Sequence, residues 1–184
     1  MITLGIDPGL ADTGWAVVDS SPGETPRLVS SGVVQTPAAA GLPDRLGFIY
    51  RRISEILSSH RADSVAVEEM FFLKAAHSVR ASLQARGVIL LAAAQSGMPV
   101  AEYNPRQVKS TLTGSGAASK GQMQKMIQRL LALREPLRPD DVADAAAIAL
   151  CHLRAGRMKG LRVLDRIGSR SPAPAAPLRE TTRP

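Results

Sequence analysis

Apolar positions fall into short extended segments near the start of the chain and into helical stripes later. Three apolar segments predict strands at residues 2–6, 13–18 and 28–35. Because parallel strands need long crossovers, the two short connections between these segments predict an antiparallel meander. From Leu42 the apolar spacing becomes helical and predicts a helix to about Ser59, with one stripe formed by Leu42, Leu46, Ile49, Ile53, Ile56 and Leu57.

Strand and helix patterns alternate through the rest of the chain. Strands are predicted at residues 64–68 and 100–103. Helices are predicted at residues 75–95, 105–112, 119–133 and 140–154, and the small residues of 114–119 predict a flexible loop. A meander followed by strand–helix alternation indicates an α/β fold, with a mixed sheet flanked by helices.

The length and composition suit one globular domain followed by a tail. The chain has 184 residues, of which 45% are hydrophobic. We expect a folded domain at 1–156 and a basic, Pro/Ala-rich, disordered tail at 157–184. The longest wholly apolar run, 88–94, is too short to cross a membrane. A single cysteine, Cys151, excludes an internal disulfide and favours a cytoplasmic location.

Positive charge is concentrated in two parts of the chain. The formal net charge is +7. Residues 104–134 contain six basic side chains and no acidic one, and the tail contains seven basic against two acidic side chains. The remaining two segments are each slightly acidic. This distribution favours a polyanionic partner, although a solvated helix face would explain part of it equally well.

Four carboxylates are candidates for a catalytic or metal-binding site. Asp7 and Glu68 end predicted strands, while Asp141 and Asp144 share one face of the last helix. Turn capping is the ordinary alternative for Asp7, and Asp140 and Asp141 could simply favour a helix N-terminus. Glu68 follows a run that should be buried, where an unpaired acid needs a compensating cation. If the four converge, they form a hard oxygen site suited to Mg²⁺ and to phosphodiester hydrolysis.

A series of motifs, in order and spacing over about residues 1–155, resembles the bacterial RuvC Holliday-junction resolvases. They are LGIDPG at 4–9 with Thr13-Gly14, AVEEMF at 66–71, QARGV at 84–88, YNPRQVK at 103–109, GSG at 114–116 with Lys120, and DVADAAAIA at 141–149. The resemblance implies an RNase H-like fold with a mixed five-stranded sheet and a homodimer. It also implies paired, metal-dependent nicks in four-way DNA junctions during recombination and repair, leaving 5′-phosphate and 3′-hydroxyl ends.

The resemblance also assigns roles to individual residues. Asp7, Glu68, Asp141 and Asp144 match the metal-binding carboxylates, expected to hold two Mg²⁺ or Mn²⁺ ions with Asp7 bridging them. Some relatives have His at the position of Asp141. The RuvA–RuvB branch-migration complex is an expected partner.

The DNA contacts expected from the resemblance lie between Glu68 and Asp141 in the sequence. Lys109 and Lys120 match basic positions needed for activity, with Lys120 also steadying the scissile phosphate. Phe71 matches a residue that wedges between bases near the crossover, whereas Phe72 is left undecided. Arg80 and Arg106 are weaker candidates for backbone contacts. The ordinary alternatives are surface lysines and a packed Phe pair.

Three other functions are compatible with parts of the sequence. The opening Gly5-Ile-Asp7-Pro-Gly9 resembles a phosphate loop of actin-like ATPases, but those enzymes need two related domains. Another RNase H-like nuclease, such as the YqgF-type group, is disfavoured by Lys109, Lys120 and the Asp141/Asp144 pair together. A non-catalytic junction-binding module would be expected to lack at least one of the four carboxylates, and all four are present.

Overall fold

The computed structural model describes residues 1–21, 24–69 and 77–163, including side chains except those of 77–79 and 157–163. Strands and helices follow the predicted order. They are β1 (Ile2–Asp7), β2 (Asp12–Asp19), β3 (Arg27–Gln35), α1 (Leu42–His60), β4 (Ser64–Glu68), α2 (His77–Gln95), β5 (Val100–Tyr103), α3 (Pro105–Thr113), α4 (Lys120–Leu130) and α5 (Asp140–Val163).

The five strands form one mixed sheet in the order β3-β2-β1-β4-β5. The predicted meander is confirmed, because β1–β2 and β2–β3 pair antiparallel. Strands β4 and β5 extend the sheet in parallel on the other side of β1. Strand β1 therefore lies at the centre, and the carboxyl ends of β1, β4 and β5 reach the same edge of the sheet.

Two apolar layers cover the two faces of this sheet. One layer joins α3, α4 and α5 to the face that includes Ala16, Val18 and Ala66. The other joins α1 and α2 to the face that includes Leu4 and Ile6. Each strand thus contributes alternate residues to opposite layers, as expected for a sheet buried on both sides.

Helix α5 lies unusually close to the sheet because glycines stand beneath it. A Cβ atom built at Gly5 would lie 2.1 Å from the Ala145 carbonyl oxygen, and one at Gly14 would lie 2.1 Å from that of Asp141. Any side chain at either position would therefore collide with the helix backbone. The alanines of α5 complete this close packing, since Ala145 and Ala149 are fully buried.

Two helix ends differ from the predicted ones. Helix α4 ends at Leu130 rather than 133, because Ala132 adopts a left-handed conformation with φ of 50°. Helix α5 continues nine residues beyond Arg154, to Val163. Residues 157–163, expected to begin the disordered tail, therefore belong to α5, and the rest of the expected tail, 164–184, lies outside the described residues. Within those residues, no helix is long and apolar enough to cross a membrane.

Candidate active site

The ends of β1 and β4 place Asp7 and Glu68 side by side. Their strands are parallel, with Ile6 opposite Val67, so the next residue of each strand reaches the sheet edge at the same level. Leu4 and Ile6 point into the layer of α1 and α2. Successive side chains of a strand point to opposite faces of the sheet. Asp7 therefore points to the opposite face, where α5 begins.

The first turns of α5 bring Asp141 and Asp144 to the same edge. Gly14 is the strand partner of Asp7, and it is also the residue over which the Asp141 backbone lies. Each of the four carboxylates is half-buried. The structure thus brings together all four acids that the sequence predicts as a site.

Burial and mutual repulsion govern the protonation of these acids. Burial first, then the neighbouring Glu68, Asp144 and Asp141, raise the pKa of Asp7 to about 8. Burial also raises the pKa of Glu68, although a hydrogen bond from Asp7 partly opposes that rise. Without a cation, the pair holds a proton at pH values where exposed acids are ionised.

Asp144 has a similar environment but lies within reach of basic side chains. Burial raises its pKa, while Lys120 and, to a smaller extent, Lys109 oppose the rise. No ion pair within 4 Å links Asp7, Glu68 or Asp144 to a basic side chain in the described part of the chain. These three acids consequently repel one another without a paired counter-charge.

The donor chemistry of the site suits a hard divalent cation. Its ligands would be carboxylate oxygens, which Mg²⁺ and Mn²⁺ prefer. As the side chains stand, no three His, Cys, Asp or Glu groups among the described residues are arranged around one metal position. A cation would replace the shared proton and relieve the repulsion.

A pocket of about 190 Å³ opens beside the carboxylates. Two acids, Glu68 and Asp144, and two lysines, Lys109 and Lys120, line it together with apolar residues including Val108 and Met123. The two predicted lysines are thereby placed beside the acidic site. The pocket joins negative groups that can hold a cation to positive groups that can hold a phosphate.

Helix caps fix where the two lysines project. The Asn104 side chain accepts a hydrogen bond of 2.8 Å from the Gln107 amide and begins α3. Ser119 and Gln122 form a capping box at the start of α4, so Lys120 is the first residue of that helix. Val108 and Met123 are buried beneath and anchor both helices.

The other predicted DNA contacts lie farther out or outside the described residues. Arg106 is exposed on α3 and lies over Gly116, with its Cγ 2.6 Å from a Cβ built at that glycine. Arg80 is exposed on α2. Neither lines the pocket. Phe71 and Phe72, the predicted wedge and its undecided neighbour, lie outside the described residues.

Sequence reasoning missed three residues that shape the site. Gly5 and Gly14 let α5 approach, and the motifs contained both without assigning them this role. Asp140, considered only as a helix-initiating acid, contacts Lys120 with 2.9 Å between Oδ2 and Nζ. Its signal was weak, because an acid at a helix start is explained by the helix dipole alone.

The chain is similar in sequence to known proteins over most of its length. The family model described as "Crossover junction endodeoxyribonuclease RuvC" matches residues 3–152. A protein of that name from Syntrophomonas wolfei is 46% identical over 158 residues, covering 86% of this chain and 91% of the relative. The matched segment includes all four carboxylates and both lysines.

Solved structures give the same result. The structure titled "Thermus thermophilus RuvC structure" has a TM-score of 0.80 and 38% identity, covering 86% of this chain and 97% of that one. The one titled "T. thermophilus RuvC in complex with Holliday junction substrate" has a TM-score of 0.79 and 37% identity, covering 86% and 96%. The expected RNase H-like architecture is confirmed by these similarities.

Proposed function

The chain belongs to the RuvC family of crossover junction endodeoxyribonucleases and is a Holliday-junction resolvase, and we propose that it cuts DNA with Asp7, Glu68, Asp141 and Asp144. The observation that carries this assignment is the convergence of the four acids at one sheet edge, where they raise the pKa of Asp7. Buried acids without counter-charges destabilise a fold, so a site that gathers them suits a cation-dependent function.

These four residues would hold the divalent metal on which the cleavage depends, Mg²⁺ or Mn²⁺, with two ions per site as the resemblance implies. When bound, such ions activate water and stabilise the charge that develops on a phosphodiester. The contribution of the protein is to hold the carboxylates close together, and the bound cations would keep them ionised. The ends of the parallel strands β1 and β4 supply that geometry together with the start of α5, which packs closely on Gly14.

Lys109 and Lys120 would bind backbone phosphates, and Lys120 would also steady the scissile phosphate. Both line the pocket that Glu68 and Asp144 share, which supports contact with the scissile region. The other basic residues of 104–134 would contact the backbone of the junction arms, with Arg106 and Arg80 farther from the cut. Phe71 remains the proposed wedge between bases.

The natural assembly proposed is a homodimer acting on one junction. Two related strands must be cut, and a twofold dimer presents two equivalent sites. We also propose cooperation with the RuvA–RuvB branch-migration complex, a cytoplasmic location, and a nuclease domain at 1–156 followed by a separate tail. The homodimer and the RuvA–RuvB partnership rest on family membership, whereas the location and the domain boundary rest on the composition of the sequence.

Replacing Asp7 with Asn tests the cutting centre. The protein is incubated with a mobile synthetic four-way junction in Mg²⁺ and in Mn²⁺, and the nicks are mapped. We expect Asp7→Asn to bind the junction with at least wild-type affinity but to lose cleavage in both metals. Asp12→Asn is the matched control, because Asp12 bonds Gln35 on β3 and lies outside the cluster. Wild-type cleavage by Asp7→Asn would overturn the proposal.

A further inference from the structure

Asp140 differs from Asp141 and Asp144 at the start of α5 and from Asp7 at the end of β1. It is the first residue of α5, directly before Asp141. One of its oxygens, Oδ2, is 2.9 Å from Lys120 Nζ, and the other, Oδ1, accepts a 2.9 Å hydrogen bond from Gln124 Nε2. Both partners belong to α4 and lie one turn apart on the same side of it. A single carboxylate therefore joins the beginnings of α4 and α5.

The charge pattern separates Asp140 from the metal-binding acids. Lys120 lowers the pKa of Asp140, so this carboxylate is ionised while burial and repulsion raise the pKa of Asp7. Its side chain is about half exposed and does not line the pocket, whereas Lys120 does. Asp140 thus faces Lys120 from outside the pocket rather than joining the cluster inside it.

Lys120 has few other restraints on its position. Its side chain is 58% exposed and has four rotatable bonds, so without a partner it would sample many orientations in solvent. The ion pair with Asp140 restricts the ammonium group to the side of α4 that carries Gln124 and faces the start of α5. Asp144 and Asp141 attract it from that same side.

We propose that Asp140 is a positioning residue that holds Lys120 toward the scissile phosphate during cleavage. The inference rests on the proposed role of Lys120. Asp140 would act through Lys120 and would not itself contact the metal or the DNA. Gln124 would assist by fixing the orientation of the Asp140 carboxylate.

This role predicts opposite effects on binding and cleavage. Removing the negative charge of Asp140 near a phosphate reduces repulsion, so junction affinity should stay equal or increase. Cleavage should nevertheless slow, because Lys120 loses its restraint. Exposed ion pairs have small energies, so we expect a decrease of about two- to fivefold in the single-turnover cleavage rate.

The experiment compares Asp140→Asn, Lys120→Ala and the double variant at saturating enzyme in Mg²⁺. Junction affinity and single-turnover rate are measured separately. We expect Asp140→Asn to slow cleavage without weakening binding, and to have no further effect when Lys120 is already Ala. Asp140→Glu, which keeps the carboxylate, should cleave faster than Asp140→Asn. Asp44→Asn, an acid in the first turn of α1, is the charge-matched control and should change neither quantity.

Three outcomes would overturn the inference. Equal or faster cleavage by Asp140→Asn would mean that the carboxylate does not assist Lys120 or competes with the phosphate for it. An undiminished effect of Asp140→Asn in the Lys120→Ala background would mean that Asp140 acts by another route. Wild-type cleavage by Lys120→Ala would remove the proposed role of Lys120 as well, whereas the Asp7→Asn test of the cutting centre would be unaffected.

Discussion

The acidic edge and the lysine side of the pocket are built in different ways. Asp7 and Glu68 are placed by strand register, and α5 reaches them because glycines leave room for its backbone. Lys109 and Lys120 stand on two short helices and reach the pocket with long side chains from its rim. The acids are half-buried parts of the framework, whereas Lys120 is mostly exposed.

Because of this difference, we expect the acidic edge to govern DNA cleavage and the lysines to govern DNA binding. A buried acid cannot be moved without moving the backbone that places it, so changes at the acidic edge should affect catalysis and folding together. An exposed lysine can be removed with little structural consequence, so changes there should affect DNA affinity gradually. The following experiments test that separation.

The largest effect is expected at a residue with no functional group. Gly14→Ala places a methyl group where the Asp141 carbonyl oxygen now lies, so the start of α5 must move away from Asp7. A displacement of about 1 Å can reduce an enzyme's rate by about 100-fold, and we expect at least that decrease in junction cleavage. Overpacking should also lower the free energy of unfolding by about 1–3 kcal/mol, measured in urea.

Gly156→Ala is the matched control for Gly14→Ala. Gly156 belongs to α5 itself, and a Cβ built there meets no atom within 4 Å. Its replacement should leave cleavage unchanged and raise stability slightly, since alanine favours helix more than glycine does. Normal cleavage by Gly14→Ala would show that the close approach of α5 is dispensable.

The second effect is on stability in the absence of metal. The pKa of Asp7 rises from the ordinary 3.8 to about 8 in the folded protein. Between these values the folded state binds more protons than the unfolded state, so stability should fall as pH rises and level off above pH 8. Urea unfolding in EDTA should therefore give a lower free energy at about pH 9 than at about pH 6.

Asp7→Asn isolates the contribution of this group. The variant cannot ionise at position 7, so its stability should fall less over the same range and exceed that of the wild-type protein at high pH. Adding Mg²⁺ should stabilise the wild-type protein more than the variant. If the two proteins have the same pH dependence in EDTA, Asp7 is not the group with the raised pKa.

A smaller effect is expected on the lysine side. Lys109→Ala should weaken junction binding several-fold at moderate salt and reduce the dependence of affinity on salt by about one phosphate contact. Unfolding in urea should be nearly unchanged. Arg52→Ala removes one positive charge on α1, where Arg52 pairs with Glu55, and should alter neither affinity nor its salt dependence. An equal loss in both variants would assign the effect to net charge alone.

The smallest effect is expected from the end of the chain. Residues 164–184 contain four basic and two acidic side chains. Deleting them while keeping α5 should weaken junction binding about twofold at low salt, with no effect at high salt. The cleavage rate at saturating enzyme should stay unchanged. Loss of cleavage would contradict the proposed separation of the tail from the nuclease domain.

Much of this architecture could be predicted from the sequence. The short apolar segments predicted all five strands. Asp7 and Glu68 were predicted at strand ends, and the parallel pairing of β1 with β4 brings those two ends to one edge of the sheet. Caps such as Ser119 marked helix starts correctly. These features depend on neighbouring residues, which a sequence displays directly.

Contacts between residues far apart in the sequence could not be predicted in the same way. The contact between Gly14 and the Asp141 backbone joins residues that the sequence separates by most of the domain. The Lys120–Asp140 ion pair requires the relative placement of two helices. The end of α4 depends on a left-handed Ala132, a conformation for which alanine has no preference.

The close packing of α5 on Gly5 and Gly14 also affects when the site can form during synthesis of the chain. Because a chain is made from its amino end, Asp7 and Glu68 can pair in a growing polypeptide before α5 exists. Asp141 and Asp144 come after most of the domain, and the contacts that recruit them have high sequence separation. A nascent or prematurely ended chain therefore has only two of the four proposed metal-binding acids, so we expect it to gain the ability to cut DNA only when the domain is complete.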